Sequence, residues 1–359
     1  PIHTSLDASA SCRSQLQTSA IMAPLSRAAA SLLVLAVGAF GKVCDEASEK
    51  KVACFDLKSG SRVPQVAMGT WSGSYSDCRS GDYTCAEQHA RFAVDNWLHI
   101  GGTHIDGAND YRTQVAVGEA LRTSGIPREE VFITTKCPGP IGYEATIQCA
   151  DDNLQMLRQF GSKGVQYIDL LLVHFPFTMK PVCRFSREAP ECVAPNRPYV
   201  PAGKQALQDT WRAMEELKRI GVVKAIGVSD YNITNLQDTL EVATQPIDLH
   251  QVEWNPSVHD EAMLDFCKKN GIQLQAWSPL GGSKGSVLSE PAIAKAAKAH
   301  GVSVAQVTLR WSLQRGVAVV VGTANPDHAK GDIELFGFQL SDDEMKEISA
   351  IQGPMAVHI

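Results

Sequence analysis

Eight short β-type segments recur along the chain, and each is followed by a longer segment whose apolar residues have helical spacing. The β-type segments are residues 65–70, 102–106, 131–136, 168–175, 224–229, 247–254, 272–278 and 317–322. Most are continuously apolar, as strands buried on both faces are. Several helical segments end in glycine before the next strand, as helix C-termini often do. This repetition predicts a TIM-type (β/α)8 parallel barrel rather than an open sheet of about five or six strands.

Three further segments fit the barrel interpretation. Residues 55–63, FDLKSGSRV, predict a hairpin closed by Ser-Gly that caps the bottom of the barrel. The connections 71–86 and 177–204 are longer than a barrel requires. Both follow the C-terminus of a strand, so we expect them at the face where barrel enzymes carry their active sites.

The N-terminal part of the chain does not follow this pattern. Residues 1–21 are Ser/Thr-rich and patternless, which predicts an untranslated or disordered leader, with Met22 as the real start. Residues 22–41 combine one arginine, an apolar run and small residues, as in a secretory signal peptide. We therefore expect entry into the secretory pathway or an organelle; a disordered tail on a cytoplasmic protein is the alternative. Residues 42–54 would then be a linker and residues 55–359 the barrel.

Ten cysteines bear on the same question of compartment. Three pairs bracket polar, loop-like sequence and could each close a small loop: Cys44–Cys54, Cys78–Cys85 and Cys183–Cys192. Such disulfides favour an oxidising compartment, and unpaired thiols in a cytosolic enzyme are the alternative. Cys137, Cys149 and Cys267 are expected to be single thiols. No spacing resembles a zinc site, so no metal is expected.

The composition excludes some classes of partner. The formal net charge is −6, and no basic run with interleaved aromatics occurs, so nothing favours binding to nucleic acid or an anionic membrane. No segment after the signal-like run is apolar enough to span a bilayer. The chain contains neither G-x-G-x-x-G nor a Walker A loop. The mature protein is expected to be a monomer that acts on a small molecule.

Polar side chains stand at or just beyond the ends of three successive predicted strands. Asp106 ends the second strand with Tyr111 just beyond it, Lys136 ends the third, and His174 lies near the end of the fourth. Each alone could be a cap, a rim aromatic, a strand-end lysine or a core histidine. Together they can do acid–base chemistry, because an ammonium near a phenol lowers its pKa from about 10. Asp106 could hold Lys136, and His174 could orient a substrate oxygen. The set predicts a general-acid site for a carbonyl that receives a hydride.

The motifs around these residues resemble the aldo-keto reductases, in particular the aldose and aldehyde reductases. The resemblance covers residues 55–350, and its motifs come in the family's order. They are MGTW (68–71), HIDGANDY with VGEALR (104–122), TTK (134–136), DLLLVH (169–174), GVSDYN (227–232), QVEWNP (251–256) and AWSPLG (276–281). The resemblance implies a TIM-type barrel that binds a nicotinamide dinucleotide without a Rossmann motif. It also implies an NAD(P)H-dependent reductase of aldehydes and ketones, with NADPH as the family default and NADH as the alternative.

The resemblance further implies a role for each matched residue. Tyr111 is expected to donate the proton, Lys136 and Asp106 to tune its pKa, and His174 to orient the carbonyl. Ser229, Asp230 and Gln251 match positions that hold the carboxamide of the nicotinamide, and Trp277 matches an aromatic that stacks on its ring. Ser278 and Leu280 match contacts to the pyrophosphate. The other matched cofactor positions are Gly69, Thr70, Gly322, Thr323 and His328.

The chain also departs from the family pattern at several cofactor positions. Asp230 stands where Asn is usual, so its carboxylate can accept but not donate. Trp277 stands where Tyr is usual. Gly322 and His328 stand where NADPH-preferring members carry a Lys and an Arg for the 2′-phosphate, with Thr323 at the intervening Ser position. The bidentate phosphate clamp is therefore weakened.

The expected pocket follows from two aromatics and from the C-terminal tail. Trp71 and Phe175 match pocket-lining aromatics, although plain rim packing is the alternative. The tail after residue 351 has only eight residues, QGPMAVHI. We therefore expect an open pocket that accepts small or extended aldehydes.

Other functions on the same barrel stay open at the level of sequence. One is a catalytically silent regulatory subunit, like the potassium-channel β subunits of the same ancestry; the complete Asp–Tyr–Lys–His set argues against it. The other is an unrelated barrel enzyme such as a phosphate-sugar hydrolase or isomerase. The absence of a Gly-rich phosphate loop after the seventh or eighth strand counts against that one.

Overall fold

The computed structural model describes residues 42–44, 52–71, 83–158, 165–179, 199–282 and 287–351. The strands are β1 (Cys54–Asp56), β2 (Arg62–Pro64), β3 (Val66–Gly69), β4 (His104–Asp106), β5 (Phe132–Cys137), β6 (Ile168–Val173), β7 (Phe177–Met179), β8 (Tyr199–Pro201), β9 (Val223–Ser229), β10 (Leu249–Glu253), β11 (Gln273–Trp277) and β12 (Ala318–Val321). The helices are α1 (Tyr83–His99), α2 (Gln114–Ser124), α3 (Tyr143–Leu157), α4 (Lys204–Arg219), α5 (Ile233–Leu240), α6 (Glu261–Asn270), α7 (Pro291–His300), α8 (Val304–Gln314), α9 (Pro326–Ile333) and α10 (Asp342–Ser349).

Eight parallel strands close into a barrel in the order β10-β11-β12-β3-β4-β5-β6-β9. The eight predicted strands are confirmed, each end to within two residues. β5, β6 and β12 are buried along their whole length, because helices cover the outside and strand side chains fill the inside. The fold is therefore the predicted TIM-type (β/α)8 barrel, whose strand C-termini converge on one face.

The hairpin of β1 and β2 closes the opposite end of the barrel, as predicted. The two strands pair antiparallel, and the turn between them includes Gly60 with φ +90°. Two hairpin residues join five strand residues in a buried apolar cluster: Leu57, Val63, Phe132, Leu170, Leu172, Ala225 and Leu249. Each of the Leu, Val and Phe side chains contributes about 1.5–3 kcal/mol when it is fully buried. The hairpin is thus an apolar plug for the bottom of the barrel.

Buried carboxylates tie the plug and the strand N-termini together. The carboxylate of Asp248, just before β10, accepts from Lys218 Nζ (2.9 Å) and from the backbone N–H groups of Ser59 (3.1 Å) and Ile226 (3.2 Å). In β6, Asp169 Oδ2 accepts from Arg128 Nη2 at 2.6 Å. Both of these buried carboxylates are therefore paired, which offsets the cost of burying their charges.

The connection between β6 and α4 is partly described. Its two ends form a short antiparallel pair, β7 with β8, in which Phe177 faces Pro201. The pair stands at the C-terminal end of β6, next to His174. The segment 180–198, with Cys183 and Cys192, lies outside the described residues.

Two disulfides lie within the described residues, and one of them was not predicted. Cys44–Cys54 joins the turn 42–44 to β1, as expected. Cys137 and Cys149 are also bonded, with a Cα–Cα distance of 6.0 Å, so the expectation of single thiols there is wrong. Cys137 ends β5 and Cys149 lies on α3, and the packing of this helix against its strand brings the sulfurs together.

The other cysteine predictions have mixed outcomes. Cys267 is a free, buried thiol, as predicted. Cys85 is disulfide-bonded, and its predicted partner Cys78 lies outside the described residues. The predicted leader and signal peptide, residues 1–41, also lie outside them. Within the part of the chain that is described, no helix is long and apolar enough to cross a membrane.

Candidate active site

The turn after β4 places an acid and a phenol over the strand ends. The strand ends at Asp106, and Gly107 N–H continues its ladder by donating to Thr134 O at 2.9 Å. A single 3₁₀ turn, Asn109–Tyr111, follows. Arg112 then takes a left-handed conformation with φ +59°, which redirects the chain into α2. The phenol therefore lies at the mouth of the barrel.

Lys136 links the acid to the phenol. Its side chain is completely buried at the end of β5, and Nζ donates to Asp106 Oδ1 at 2.5 Å and to Gly107 O at 2.9 Å. The third N–H group of the ammonium points to the Tyr111 hydroxyl, whose oxygen lies 3.4 Å from Nζ. All three donor directions are occupied, so the lysine is held by the strand ends.

His174 completes the predicted set from the other side. Its Nε2 lies 3.3 Å from the Tyr111 hydroxyl, and the two rings meet edge to face with centroids 5.3 Å apart. The phenol oxygen thus lies between an ammonium and an imidazole. The structure brings all four predicted catalytic residues into one cluster.

The pKa of Tyr111 is shifted upward, whereas the sequence predicted a downward shift. Burial of the phenol raises its pKa well above 10, and the charges of Asp106, Asp110 and Asp230 raise it further. The Lys136 ammonium opposes this rise, but Asp106 lies 2.5 Å from it and offsets most of its charge. The phenol therefore keeps its proton at neutral pH.

Asp110 is a member of the cluster that the sequence reasoning missed. Its Oδ1 lies 2.9 Å from His174 Nδ1, on the far side of the imidazole from the phenol. Burial acts to raise the pKa of Asp110, but the hydrogen bond and charge of His174, with Lys136, hold that pKa below its usual value. The only signal in the sequence was its place directly before Tyr111.

Gln251 stands over the cluster from β10 and has a partner that sequence reasoning also missed. Its Nε2 donates to Asp106 Oδ2 and to Gln275 Oε1, both at 2.8 Å. Since both donor directions of the amide are used, Oε1 is the atom available to accept from a ligand. Gln275 is a polar residue at a buried position of β11, which was the signal in IQLQAW.

Two of the residues that depart from the family pattern, Trp277 and Asp230, contact each other. Trp277 Nε1 donates to Asp230 Oδ1 at 2.8 Å. Asp230 has φ +55°, and its backbone N–H donates to Gln251 O at 2.9 Å. The carboxylate therefore holds the indole in place at the barrel mouth.

The remaining predicted cofactor residues near these strands differ in exposure. Ser229 is buried at the end of β9, while Ser278 (φ +48°) and half-buried Leu280 lie in the turn after β11. Gly69 is packed so closely that an added Cβ would lie 3.0 Å from Val320 Cγ1.

Thr70 and the positions after β12 complete the predicted cofactor set. Thr70 is fully buried, and its hydroxyl donates to Asp106 O at 3.1 Å. Gly322 is exposed and Thr323 half-buried, directly before α9. His328, exposed in the first turn of α9, has its backbone N–H capped by Asn325 Oδ1. The described contacts of Thr70 therefore support the turn after Asp106. Gly322 and His328, which follow β12, are open to solvent.

The predicted pocket aromatics both lie at the mouth of the barrel. Trp71 follows β3 and is 54% exposed, so its indole faces solvent. Phe175 is half-buried, with its ring centroid 5.0 Å from that of His174. Phe175 thus contacts the cluster itself, and Trp71 stands outside it.

The residues at this mouth fit a nicotinamide dinucleotide. An amide oxygen at Gln251 faces the site, and the indole of Trp277 offers a flat apolar surface. The helix α9 begins just after β12 with Pro326, and its next two N–H groups, those of Asp327 and His328, donate to Asn325 Oδ1. The Gln251 amide and the Trp277 indole match the carboxamide and the ring of a nicotinamide.

Comparisons with known proteins agree with this geometry. The sequence pattern of the Aldo/keto reductase family matches residues 65–352. The chain is 33% identical over 313 residues to glycerol 2-dehydrogenase (NADP(+)) of Saccharomyces cerevisiae, covering 84% of this chain and 92% of that protein. It is 33% identical over 296 residues to glyoxal reductase of Bacillus subtilis, covering 82% and 91%.

Solved structures give the same result. Aldose reductase of Schistosoma japonicum superposes with a TM-score of 0.72 at 27% identity, covering 84% of this chain and 93% of that one. An aldo-keto reductase of Bombyx mori in complex with NADP superposes with a TM-score of 0.70 at 27% identity, covering 84% and 92%.

Proposed function

The chain belongs to the aldo/keto reductase family and is a nicotinamide-dependent oxidoreductase that reduces carbonyl groups, and we propose that Tyr111 is its general acid. The observation that carries this proposal is the Tyr111 hydroxyl between Lys136 Nζ (3.4 Å) and His174 Nε2 (3.3 Å). The alternative of a silent regulatory barrel has no support, since the relatives named above are a dehydrogenase and reductases.

The acid step follows from the position and the protonation of the phenol. When bound, a nicotinamide cofactor would supply the hydride for the carbonyl carbon. As negative charge develops on the carbonyl oxygen, Tyr111 transfers its proton there. The raised pKa of Tyr111 ensures that the phenol is protonated beforehand, and an alkoxide is more basic than a phenolate, so the transfer is favourable. Lys136 then stabilises the phenolate.

NADPH is the proposed cofactor. The name of the yeast relative includes NADP(+), and the Bombyx structure contains NADP. Gln251 would accept from the carboxamide, Trp277 would stack on the nicotinamide, and Ser278 with Leu280 would contact the pyrophosphate. Because Gly322 and His328 replace the Lys and Arg of the clamp, we expect NADPH to bind only about tenfold more tightly than NADH. Fluorescence titration of both nucleotides measures the ratio, and tighter binding of NADH would refute this choice.

Small aldehydes are the proposed substrates. The relatives named above act, by their names, on glycerol and glyoxal. The exposed Trp71 and the half-buried Phe175 leave the mouth open on the side of the cluster. A panel of aldehydes of increasing size tests this, and kcat/KM should be highest for small or extended members.

A single substitution tests the assignment of the acid. Tyr111→Phe should lower kcat at least about a hundredfold, since it removes the transferred proton, and should leave NADPH binding within about twofold. The matched control is Tyr143→Phe, an exposed tyrosine at the start of α3, which should leave both unchanged. Near-normal turnover by Tyr111→Phe would show that another group is the acid.

For localisation, we propose the secretory pathway or an organelle entered through the signal-like residues 22–41. The bonds Cys44–Cys54 and Cys137–Cys149 support this, because disulfides persist in oxidising compartments. A peptide mass map of native protein under non-reducing conditions tests it. Finding these four cysteines as free thiols would favour a cytoplasmic protein.

A further inference from the structure

One 3₁₀ turn contacts both nitrogens of His174. Tyr111, the last residue of the turn, faces Nε2 at 3.3 Å, and Asp110, the residue before it, faces Nδ1 at 2.9 Å. The imidazole is therefore held between a phenol and a carboxylate that are neighbours in sequence. The mechanism proposed above uses the phenol and leaves Asp110 without a role.

The chemistry of the carboxylate determines the tautomer of the imidazole. An ionised carboxylate only accepts hydrogen bonds, so His174 must carry its hydrogen on Nδ1. The pKa of Asp110 lies below its usual value, as described above, so Asp110 is ionised at neutral pH. In neutral His174 the lone pair then lies on Nε2, facing the Tyr111 hydroxyl. When His174 is doubly protonated, the same carboxylate balances its positive charge.

The burial of the cluster shows where a proton can enter it. Reduction of a carbonyl consumes one proton per turnover, which must come from solvent. The Lys136 and Asp106 side chains are 0% and 3% exposed, whereas those of His174 and Asp110 are 13% and 37% exposed. Of these four charged and titratable neighbours of the phenol, His174 and Asp110 are therefore the ones that solvent reaches.

We propose that Asp110 is a positioning residue that holds His174 as the proton carrier between solvent and Tyr111. This inference rests on the proposed role of Tyr111 as the acid. After Tyr111 gives its proton to the carbonyl oxygen, the phenolate oxygen forms a new O–H bond with the proton of doubly protonated His174. The Nε2–H bond breaks, and its electron pair stays on Nε2. A hydronium ion from solvent then returns a proton to Nε2 and leaves as water, and Asp110 keeps Nδ1 protonated throughout.

Other charged groups also face the path of the proton from His174 to Tyr111, and the variants below leave them unchanged. Asp106 and Lys136 form a neutral pair below the phenol, and the charge of Asp230 also acts on Tyr111. The test therefore changes only Asp110. A direct readout comes first: nitrogen-15 NMR of wild-type protein should show His174 with hydrogen on Nδ1 and not on Nε2 when it is neutral. The Nε2–H tautomer would overturn the proposal without any variant.

Kinetics of Asp110→Ala provide the second test. The proton of Tyr111 suffices for one turnover, so the first turnover should stay within about threefold of wild type, while the steady-state rate should fall about tenfold. Added imidazole should restore part of the steady-state rate. An unchanged steady-state rate, or equal slowing of the first turnover, would refute the carrier role.

Further variants separate charge from hydrogen bonding and from folding. Asp110→Glu should recover most of the steady-state rate. Asp110→Asn keeps an acceptor for Nδ1–H but not the charge, so it should keep the tautomer and still turn over slowly. The control Glu144→Gln removes an exposed carboxylate from the first turn of α3 and should change nothing. If Tyr111→Phe retains turnover, the acid assignment fails; if only the Asp110 variants behave as wild type, this inference alone fails.

Discussion

The two ends of the barrel bury similar groups with opposite consequences. At the bottom, Asp248 accepts hydrogen bonds from Lys218, Ser59 and Ile226. At the top, Lys136 pairs with Asp106 but also reaches the Tyr111 hydroxyl at 3.4 Å. The described hydrogen bonds of Asp248 all join segments at the bottom of the barrel. Lys136, in contrast, also contacts a phenol at the mouth.

This difference indicates what each buried pair does. A buried carboxylate whose partners are backbone N–H groups joins segments, and its loss leaves those groups without partners. A buried lysine next to a phenol also stabilises the charged form of that phenol. We therefore expect changes at the bottom to alter the free energy of unfolding and changes at the top to alter binding or rate.

The largest loss of stability is expected from Asp248→Ala. It leaves the Lys218 ammonium and two N–H groups without their acceptor, which should lower the free energy of unfolding by about 3 kcal/mol. The kcat of the folded enzyme should not change. Urea unfolding and initial rates measure the two quantities. Asp209→Ala, which removes an exposed carboxylate on α4, should change stability by less than about 0.5 kcal/mol. A large loss of kcat in folded Asp248→Ala would contradict the assignment of the bottom of the barrel to stability alone.

Asp332 differs from both Asp248 and Asp106, because it is a buried carboxylate without an ion pair among the described residues. Burial raises its pKa to about 7 from 3.8. The unfolded chain loses this proton near pH 4, while the folded protein keeps it until about pH 7. Stability should therefore fall as pH rises through that window.

Asp332→Asn removes this dependence on pH. At pH 8 it should be more stable than wild type by about 2 to 4 kcal/mol, and near pH 4 the two should be equal. Thermal unfolding across this range measures the difference. The control Asp327→Asn, exposed in the first turn of the same helix, should show no comparable dependence. Equal gains at pH 4 and pH 8 would mean that ionisation of Asp332 is not the cause.

The smallest effect is expected from Gly322→Lys at the top. Gly322 is exposed and has no positive φ, so the substitution should leave stability nearly unchanged. A lysine there restores one cation for the 2′-phosphate and should tighten NADPH binding about tenfold, or about 1.4 kcal/mol, without changing NADH binding. The gain should shrink at high salt. Gly322→Gln is the neutral control, and an equal gain with it would exclude a charge effect.

Much of the site could be predicted because strand ends converge. Asp106, Lys136 and His174 end or follow neighbouring strands, so the barrel alone brings them together. The partner of the imidazole could not be predicted. Asp110 reaches His174 only because the 3₁₀ turn directs two adjacent side chains around one ring. The Trp277–Asp230 contact likewise depends on the left-handed conformation of Asp230.

The barrel, its plugged bottom and the residue types at its mouth follow from the order of the residues, because strand and helix periodicity and strand-end position are local properties of a chain. The Cys137–Cys149 bond and the upward shift of the Tyr111 pKa follow only from the packed fold. A disulfide depends on the distance between a helix and its strand, and a pKa depends on burial and on the sum of nearby charges. These quantities exist only after distant segments have packed.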